Sequence, residues 1–500
     1  MKPYTVKSKI FITFLVVLTF VILPGCDLVD ASKVTNPSIT DDNLRENATG
    51  GTAAVVSGVR RQLAVVVGIQ SLVGDLASDN LDNRTSFYDN TLNFPRIITP
   101  TSFTYDACYL GMLTLNALAD FGLSVVVPID KNAMNDQIAE IHFYKGMALL
   151  LLGENYSKFP VVENGPAVTS KDAIALAVTE FNTALPLIGS ASAATQAMRA
   201  NCYLGLARAY RMLGNKAAAQ TAATSALGVA ASGTFTGGAT YVFNAAEDAA
   251  NGPTSTLLAA LVTRASNDIQ PNPRLDFLDP KLTVNTLPMP VMKAEEAHLI
   301  LAEVALANGD LPGARTSMTN AVTLALSRAK TSFKDNDTRT DRPNNSAMTV
   351  FTDDNHTYPA IPGLIIARSG ATLNVPTISG TSQTAASIAS LASLPSGSGP
   401  NTQRFEHIRM LYLLRQEIFF GEGRRMSDLG VRLPVPKRQL DGNPNIAGTG
   451  GDVVVVPSYI PPSDEWRAYS VSGTVVTIKW DLNKEIAKNS NTVSPLGLIP

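Results

Sequence analysis

The sequence predicts a mainly α fold: a tetratricopeptide-like scaffold of helical pairs carrying a loop-rich, weakly β second part. Three observations carry this. A pattern of large and small apolar residues at helical spacing recurs along the chain, each time with a Gly between two helical runs. Hydrophobic residues make up 45% of the 500 residues and charged ones only 16%, below the quarter common in soluble domains, so extensive helix faces must be buried. Long polar, turn-rich stretches then separate the helices in the C-terminal half.

Taken in order, the chain opens with Lys2, Lys7 and Lys9, then the apolar run "IFITFLVVLTFVIL" from Ile10 to Leu23. That run is shorter than the roughly 20 apolar residues a spanning helix needs. A charged start, a short apolar core and a break describe a secretory signal. The break is "LPGCDLVD", and a Cys directly after it is the pattern of a lipoprotein signal. Residues 1–25 are therefore expected to be removed, leaving Cys26 as the lipidated first residue of a 26–500 mature chain. Pro24 departs from the small residue usual there, and a plain signal with an incidental Cys is the alternative. A single acyl chain holds a protein weakly; a lipoprotein terminus carries several. No other stretch reads as long and apolar enough to hold a membrane.

Helical repeats are expected near 139–229, 292–328 and 404–430. "YLGLARAYRMLGNKAAAQTAATSAL" places Tyr203, Leu206, Ala207 and Tyr210 on one helix, Gly214 at its end, and Ala219, Ala223 and Ala226 on the next. A Gly there suits a left-handed C-cap. "HLILAEVALANGDLPGARTSMTNA" repeats the spacing with His298, Leu301, Ala302, Ala305, Gly309, Ala314, Met318 and Ala321. His298 stands where Tyr203 stands and reads as a packing residue. An earlier helix has His142, Gly146, Leu149 and Gly153 at matching positions, its partner delayed by "NYSKFPVVENGPAVTS". Repetition of this kind marks stacked helical pairs.

A fourth helical stretch, "FEHIRMLYLLRQEIFFGEGRRMSDLG", puts Glu422, Arg425 and Asp428 at i, i+3 and i+6, on one face if the helix is continuous. They read as a structural ion network, with Arg425 depressing both carboxyl pKa values. Irregular segments are expected near 75–105, 331–400 and 440–482; loops of this length are usually functional or disordered. "GDVVVVPSYIPP" and "TVVTIKWDL" read as short strands. Cys108 and Cys202 lie in apolar helical runs and read as buried thiols, a disulfide between them being the alternative in an exported chain.

Much is excluded. A net charge of 40 − 42 = −2 lacks the basic excess of a nucleic-acid binder. The metalloprotease, nucleophile-elbow and phosphate-loop motifs do not occur, and the four His lack ligand spacing. Asp335, Asp337 and Asp341 loosely suggest a calcium loop but lack its Gly and closing Glu. No cofactor, no metal and no catalytic residue is expected.

In combination, the lipoprotein signal, the interrupted helical pairs and "EGRRMSDLG" resemble the SusD/RagB family of nutrient-binding outer-membrane lipoproteins. Glu422, Gly423, Arg425, Asp428 and Leu429 match the family's late Glu-Gly-x-Arg-x-x-Asp-Leu signature. "AEIHFYKGMALLLLGENYSKFPVV", "KAEEAHLILAEVALANGDLPGA" and "NPSITDDNLRENATGGTAAVVSGV" are similar to its early helix, third repeat and first helix. The resemblance implies a non-catalytic, lipid-anchored protein on the cell surface, with Asp27 and Asp30 as an export signal. It also implies a SusC-like TonB-dependent transporter as partner and an oligomeric nutrient, often glycan, as ligand. "GDLASDNLDNRTSFYDN" resembles a family binding loop and supplies Asp79, Asn80, Asn83, Arg84 and Tyr88 as ligand-binding candidates, with Trp466 and Tyr469 as the alternative stacking pair. Aromatics are only 7% of the chain and Trp only two, which counts against a glycan as the ligand; the alternative readings of function are a tetratricopeptide scaffold that binds protein and, behind it, a secreted glycoside hydrolase.

Overall fold

The computed structural model describes residues 49–83, 90–102, 104–162, 164–245, 269–272, 275, 289–328, 330–334, 348–351, 372–376, 400–446, 448–462, 469–472, 475–490 and 496. Helices dominate them. Helix α1 (Gly51–Leu76) is amphipathic at first and enclosed later: from Val66 to Leu76 every residue but Ile69 is buried, as expected of a central helix that is apolar all round. Helix α2 (Asp106–Phe121) packs on α1 and ends in one wide turn over Gly122–Val126. Both runs are long and apolar enough to cross a membrane by length and composition, contrary to the expectation that no second stretch would be. About half of each apolar window is covered by the protein itself, so these helices serve the core.

Three helical pairs follow: α3 (Asn135–Asn155) with α4 (Ser170–Leu187), α5 (Ala193–Met212) with α6 (Lys216–Leu227), and α7 (Ala294–Ala307) with α8 (Leu311–Ser327). Each helix packs on its partner, and α4 on α5 and α6 on α7 continue the stack. The second and third pairs turn by the same device. Gly214 and Gly309 sit at φ 76° and 79°. The next N–H reaches back five residues, Asn215 to the Tyr210 carbonyl at 3.0 Å and Asp310 to that of Ala305 at 2.8 Å. The side chains of Asn215 and Asp310 then cap the following helix, accepting from Ala218 and Gly313 N–H at 3.1 and 2.9 Å. One Gly-Asx dipeptide thus ends one helix and starts the next.

Close approach of the helices depends on the small residues. A Cβ on Gly146 or Gly205 would lie 2.6 or 2.7 Å from the Phe181 ring, and one on Gly153 2.5 Å from Ile174. Phe181 of α4 therefore wedges between α3 and α5 at sites only Gly can line. Ala207, Ala219, Ala223, Ala302, Ala314, Met318 and Ala321 are fully buried, as their spacing predicts. His298 packs half-buried, its pKa lowered by burial. Cys108 and Cys202 are free buried thiols, each held in the neutral form by burial.

Between the first pair, β2 (Lys158–Pro160) and β3 (Ala167–Thr169) form a small hairpin. The remaining strands make ribbons rather than one sheet. β1 (Leu81–Asn83) pairs antiparallel with β5 (Ile269–Pro271), β4 (Val242–Ala245) with β6 (Met289–Lys293), and β7 (Lys330–Lys334) with β9 (Thr372–Pro376). β11 (Val475–Ile478) lies between β10 (Tyr469–Ser472), antiparallel, and β8 (Met348–Phe351), parallel. "GDVVVVPSYIPP" forms no strand: only Val455 bridges, to Arg432, because prolines 457, 461 and 462 remove the donors a ladder needs.

Helix α9 (Pro400–Ile418) packs against α7, α8 and the short α12 (Leu482–Lys488). The helix expected through Glu422 stops at Ile418. Gly421 and Gly423 take φ of 80° and 66°, and a single turn, α10 (Arg425–Asp428), follows; a further short turn, α11, spans Lys437–Gly442.

Candidate functional site

Because the helix breaks, Glu422, Arg425 and Asp428 do not share one face. Each is buried and each has a partner from another element. Arg425 donates to both oxygens of Asp79, at 2.5 and 2.9 Å, and to Asn483 Oδ1 at 3.0 Å. Asp428 accepts two bonds from Arg415 of α9, at 2.8 and 2.9 Å, with Arg211 of α5 at 3.6 Å. Glu422 is paired with Lys293 at 2.5 Å, and that ammonium also donates to the Ile418 carbonyl at 2.6 Å.

The lattice extends further. Arg424 bonds Glu296 of α7, Arg208 of α5 bonds Glu154 of α3, and Arg211 bonds Glu303 at 2.5 Å. Phe419 offers its ring to Lys293, Arg415 and Arg424, all within 5.1–5.6 Å of the centroid. Arg409 holds Asp481 by two bonds to one oxygen, at 2.9 and 2.5 Å. The segment around α10 thus ties together α3, α5, α7, α9 and the end of α1.

The electrostatics correct a second expectation. Burial raises Glu422 to about 8, with Lys293 opposing; it is not depressed by Arg425. Burial also pushes Asp428 upward, but Arg415 and Arg211 outweigh it and hold the carboxyl below its usual range. Carboxylates clamped by guanidinium forks are poorly placed to shuttle protons to a substrate. This cluster serves to hold the fold, and no cluster of three metal-ligating side chains occurs among the described residues.

The ligand candidates divide. Asp79 and Asn80 are ligand-binding candidates by resemblance, and the structure packs them inward. Asn80 donates to Asp75 at 3.1 Å and accepts from Gln416 at 3.1 Å, and Gln416 also bonds Asp79 at 3.0 Å. Burial raises Asp75 to about 7, although the Gly421 N–H and Asn80 bonds oppose it. Asn83 is buried too, and Asn93 clamps it: Asn93 accepts from Asn83 N–H at 3.1 Å and donates to the Asn83 carbonyl at 2.7 Å and to Asp82 at 2.9 Å. The polar run was legible; that its amides satisfy one another rather than a ligand was not. Arg84, Tyr88, Trp466 and Cys26 lie outside the described residues. Tyr469 is the first residue of β10, opposite Ile478; among the described candidates, Asp79 and Asn80 meet at the Gln416 amide. The residues that sequence reasoning missed are Arg208, Arg211, Arg415 and Asp79 in its pairing role.

No family model and no curated protein sequence matches the chain. Solved structures do. A SusD superfamily protein from Bacteroides fragilis superposes over 79% of this chain and 98% of its own, with a TM-score of 0.52 at 12% identity. Another, from Bacteroides vulgatus, covers 79% and 97%, with a TM-score of 0.50 at 12% identity. Over that span the chain shares its fold with these SusD superfamily structures.

Proposed function

We propose that the protein is a non-catalytic, nutrient-binding lipoprotein of the SusD/RagB kind. In this reading lipid on Cys26 holds it at the outer-membrane surface. It captures an oligomeric nutrient, a glycan by preference, and passes it to a SusC-like TonB-dependent transporter. A fold hosts many activities, so the proposal needs more than shape. The observation that carries it is the coincidence of two independent signals. The SusD-superfamily fold spans almost the full length of its neighbours, and the chain begins with a lipoprotein-type signal ending at Cys26. The clamping of Glu422 and Asp428 supports the non-catalytic part, since the late signature motif is used to hold the fold.

The proposed binding side chains are Arg84 and Tyr88, with Trp466 and Tyr469 as the alternative stacking pair. Arg84 directly follows Asn83, which Asn93 fixes in place. Stacking anchors of this type cost about 2 kcal/mol or more when truncated. Tyr88→Ala is therefore expected to weaken oligosaccharide binding by roughly thirtyfold at unchanged melting temperature. Equal binding by wild type and variant in calorimetric titration would move the site to Trp466 and Tyr469. Delivery is tested separately, by co-purification of the membrane-bound protein with a TonB-dependent transporter.

A further inference from the structure

A cleft of ≈ 220 Å³ opens between α1, α3, the start of α5 and β4. One of its walls carries Asn201, which is 3% exposed and whose Oδ1 is buried without a hydrogen-bond partner. An orphaned buried acceptor costs about 1–3 kcal/mol, so an unpartnered acceptor in a residue that lines a cleft is a candidate half of a recognition contact.

The rest of the lining tells which ligand would complete it. Arg60 is already committed, donating to both oxygens of Glu140 at 2.5 and 2.8 Å. The hydroxyls of Ser192 and Thr195 are used in capping α5: Thr195 N–H donates to Ser192 Oγ at 3.2 Å and Ser192 N–H to Thr195 Oγ1 at 2.8 Å. Asp136 accepts one bond, from Gly189 N–H at 2.6 Å. A carboxylate accepts up to about four bonds, so Asp136 and Glu140 retain acceptor capacity beside Asn201. One cation against two carboxylates leaves the cleft at a formal charge of −1. Tyr144, Tyr241 and Phe243 supply aromatic surface, whose ring faces attract cations. The spare capacity is thus acceptor-rich, anionic and aromatic.

We infer that this cleft binds a primary ammonium carried on a short apolar stem, such as an alkylamine or a lysine-like side chain. The ammonium has three N–H donors and no acceptor, which suits the orphaned oxygen and the acidic pair. The stem packs on Met198 and the rings. A neutral hydroxyl, by contrast, offers one donor and no charge, and so answers the acidic pair less fully. The volume lies below the ≈ 300–1,000 Å³ of pockets for drug-sized ligands, so the cleft takes an end group and not an oligomer. The inference concerns a second site and stands or falls apart from the nutrient-binding proposal.

The test is calorimetric titration of the mature chain with n-butylamine and, in parallel, its neutral counterpart n-butanol. The expected result is saturable butylamine binding, no butanol binding, and at least tenfold weaker butylamine binding in Asn201→Leu, a loss of about 1.4 kcal/mol. Asn201→Leu should keep its melting temperature, because it removes an acceptor that has no partner. Asp136→Asn, at an exposed helix start, should weaken the amine severalfold and guards against a folding defect in the first variant. Butanol binding as tight as butylamine, wild-type affinity in both variants, or no butylamine binding by the wild type would each overturn the inference. Glycan titration of Asn201→Leu is run beside these and is expected to match the wild type, which keeps failure of this site distinct from failure of the nutrient surface.

Discussion

Arg425 illustrates how much one side chain decides here. Its fork grips Asp79 and Asn483, joining α10 to the end of α1 and to α12. Removing one member of a buried pair typically costs 3–5 kcal/mol, because the other charge is left uncompensated. Arg425→Ala is expected to lower stability by about this amount in chemical denaturation. Arg425→Lys should recover little of it, since an ammonium cannot reproduce the two-pronged contact. Glu406 offers a test by pH. Both its oxygens are buried without a hydrogen bond, and burial raises its pKa to about 7, with Arg409 and Lys484 opposing. Unfolded, the carboxyl ionises near 4.5. Its contribution to stability is therefore whole below about pH 4.5 and is lost as pH rises through about 7. Glu406→Gln cannot ionise. It should match the wild type at about pH 4 and be more stable at about pH 8, by up to roughly 3 kcal/mol. Parallel melting curves across that range would contradict the assignment.

Among the elements, α1 crosses under the turn before α10 with backbone against backbone. A Cβ on Gly74 would lie 2.3 Å from the Gly423 carbonyl oxygen, and one on Gly423 2.5 Å from that of Gln70. Backbone cannot move aside as a side chain can. Overpacking usually costs about 1–3 kcal/mol, and Gly74→Ala is expected at or above the upper end. Gly442→Ala, where a Cβ meets nothing within 4 Å, should be neutral; equal melting temperatures for the two variants would remove the close approach from the account. The same elements show what a sequence discloses. The helical pairs were legible because spacing is local: Gly214-Asn215 and Gly309-Asp310 announce two turns by chemistry confined to a few residues. The partners of Arg425 were not, because Asp79 is 346 positions away and nothing local distinguishes it from a solvated acid. The break at Gly421 and Gly423 was visible as glycine but was overridden by the apparent i, i+3, i+6 pattern around it. That Asn80 and Asn83 are buried was not legible for a related reason. Polar composition is the same whether amides face water or one another.

At the scale of the whole molecule, the described residues assemble stacked helical pairs with a buried charge lattice and short strand ribbons, in a fold shared with SusD superfamily structures. The proposed anchor lies outside them, at Cys26. Cys26→Ala is expected to shift the protein from the membrane fraction to the soluble one. Retention in the membrane fraction at high salt would exclude a lipid anchor and point to α1 or α2, the two runs apolar enough to substitute. The central claim is binding without turnover, and calorimetric titration of the mature chain with a panel of oligosaccharides addresses both halves at once. The account predicts a saturable isotherm for at least one oligomer, with the signal returning to baseline after each injection. A sustained heat of reaction with release of shorter sugars, or no binding across the panel, would contradict it.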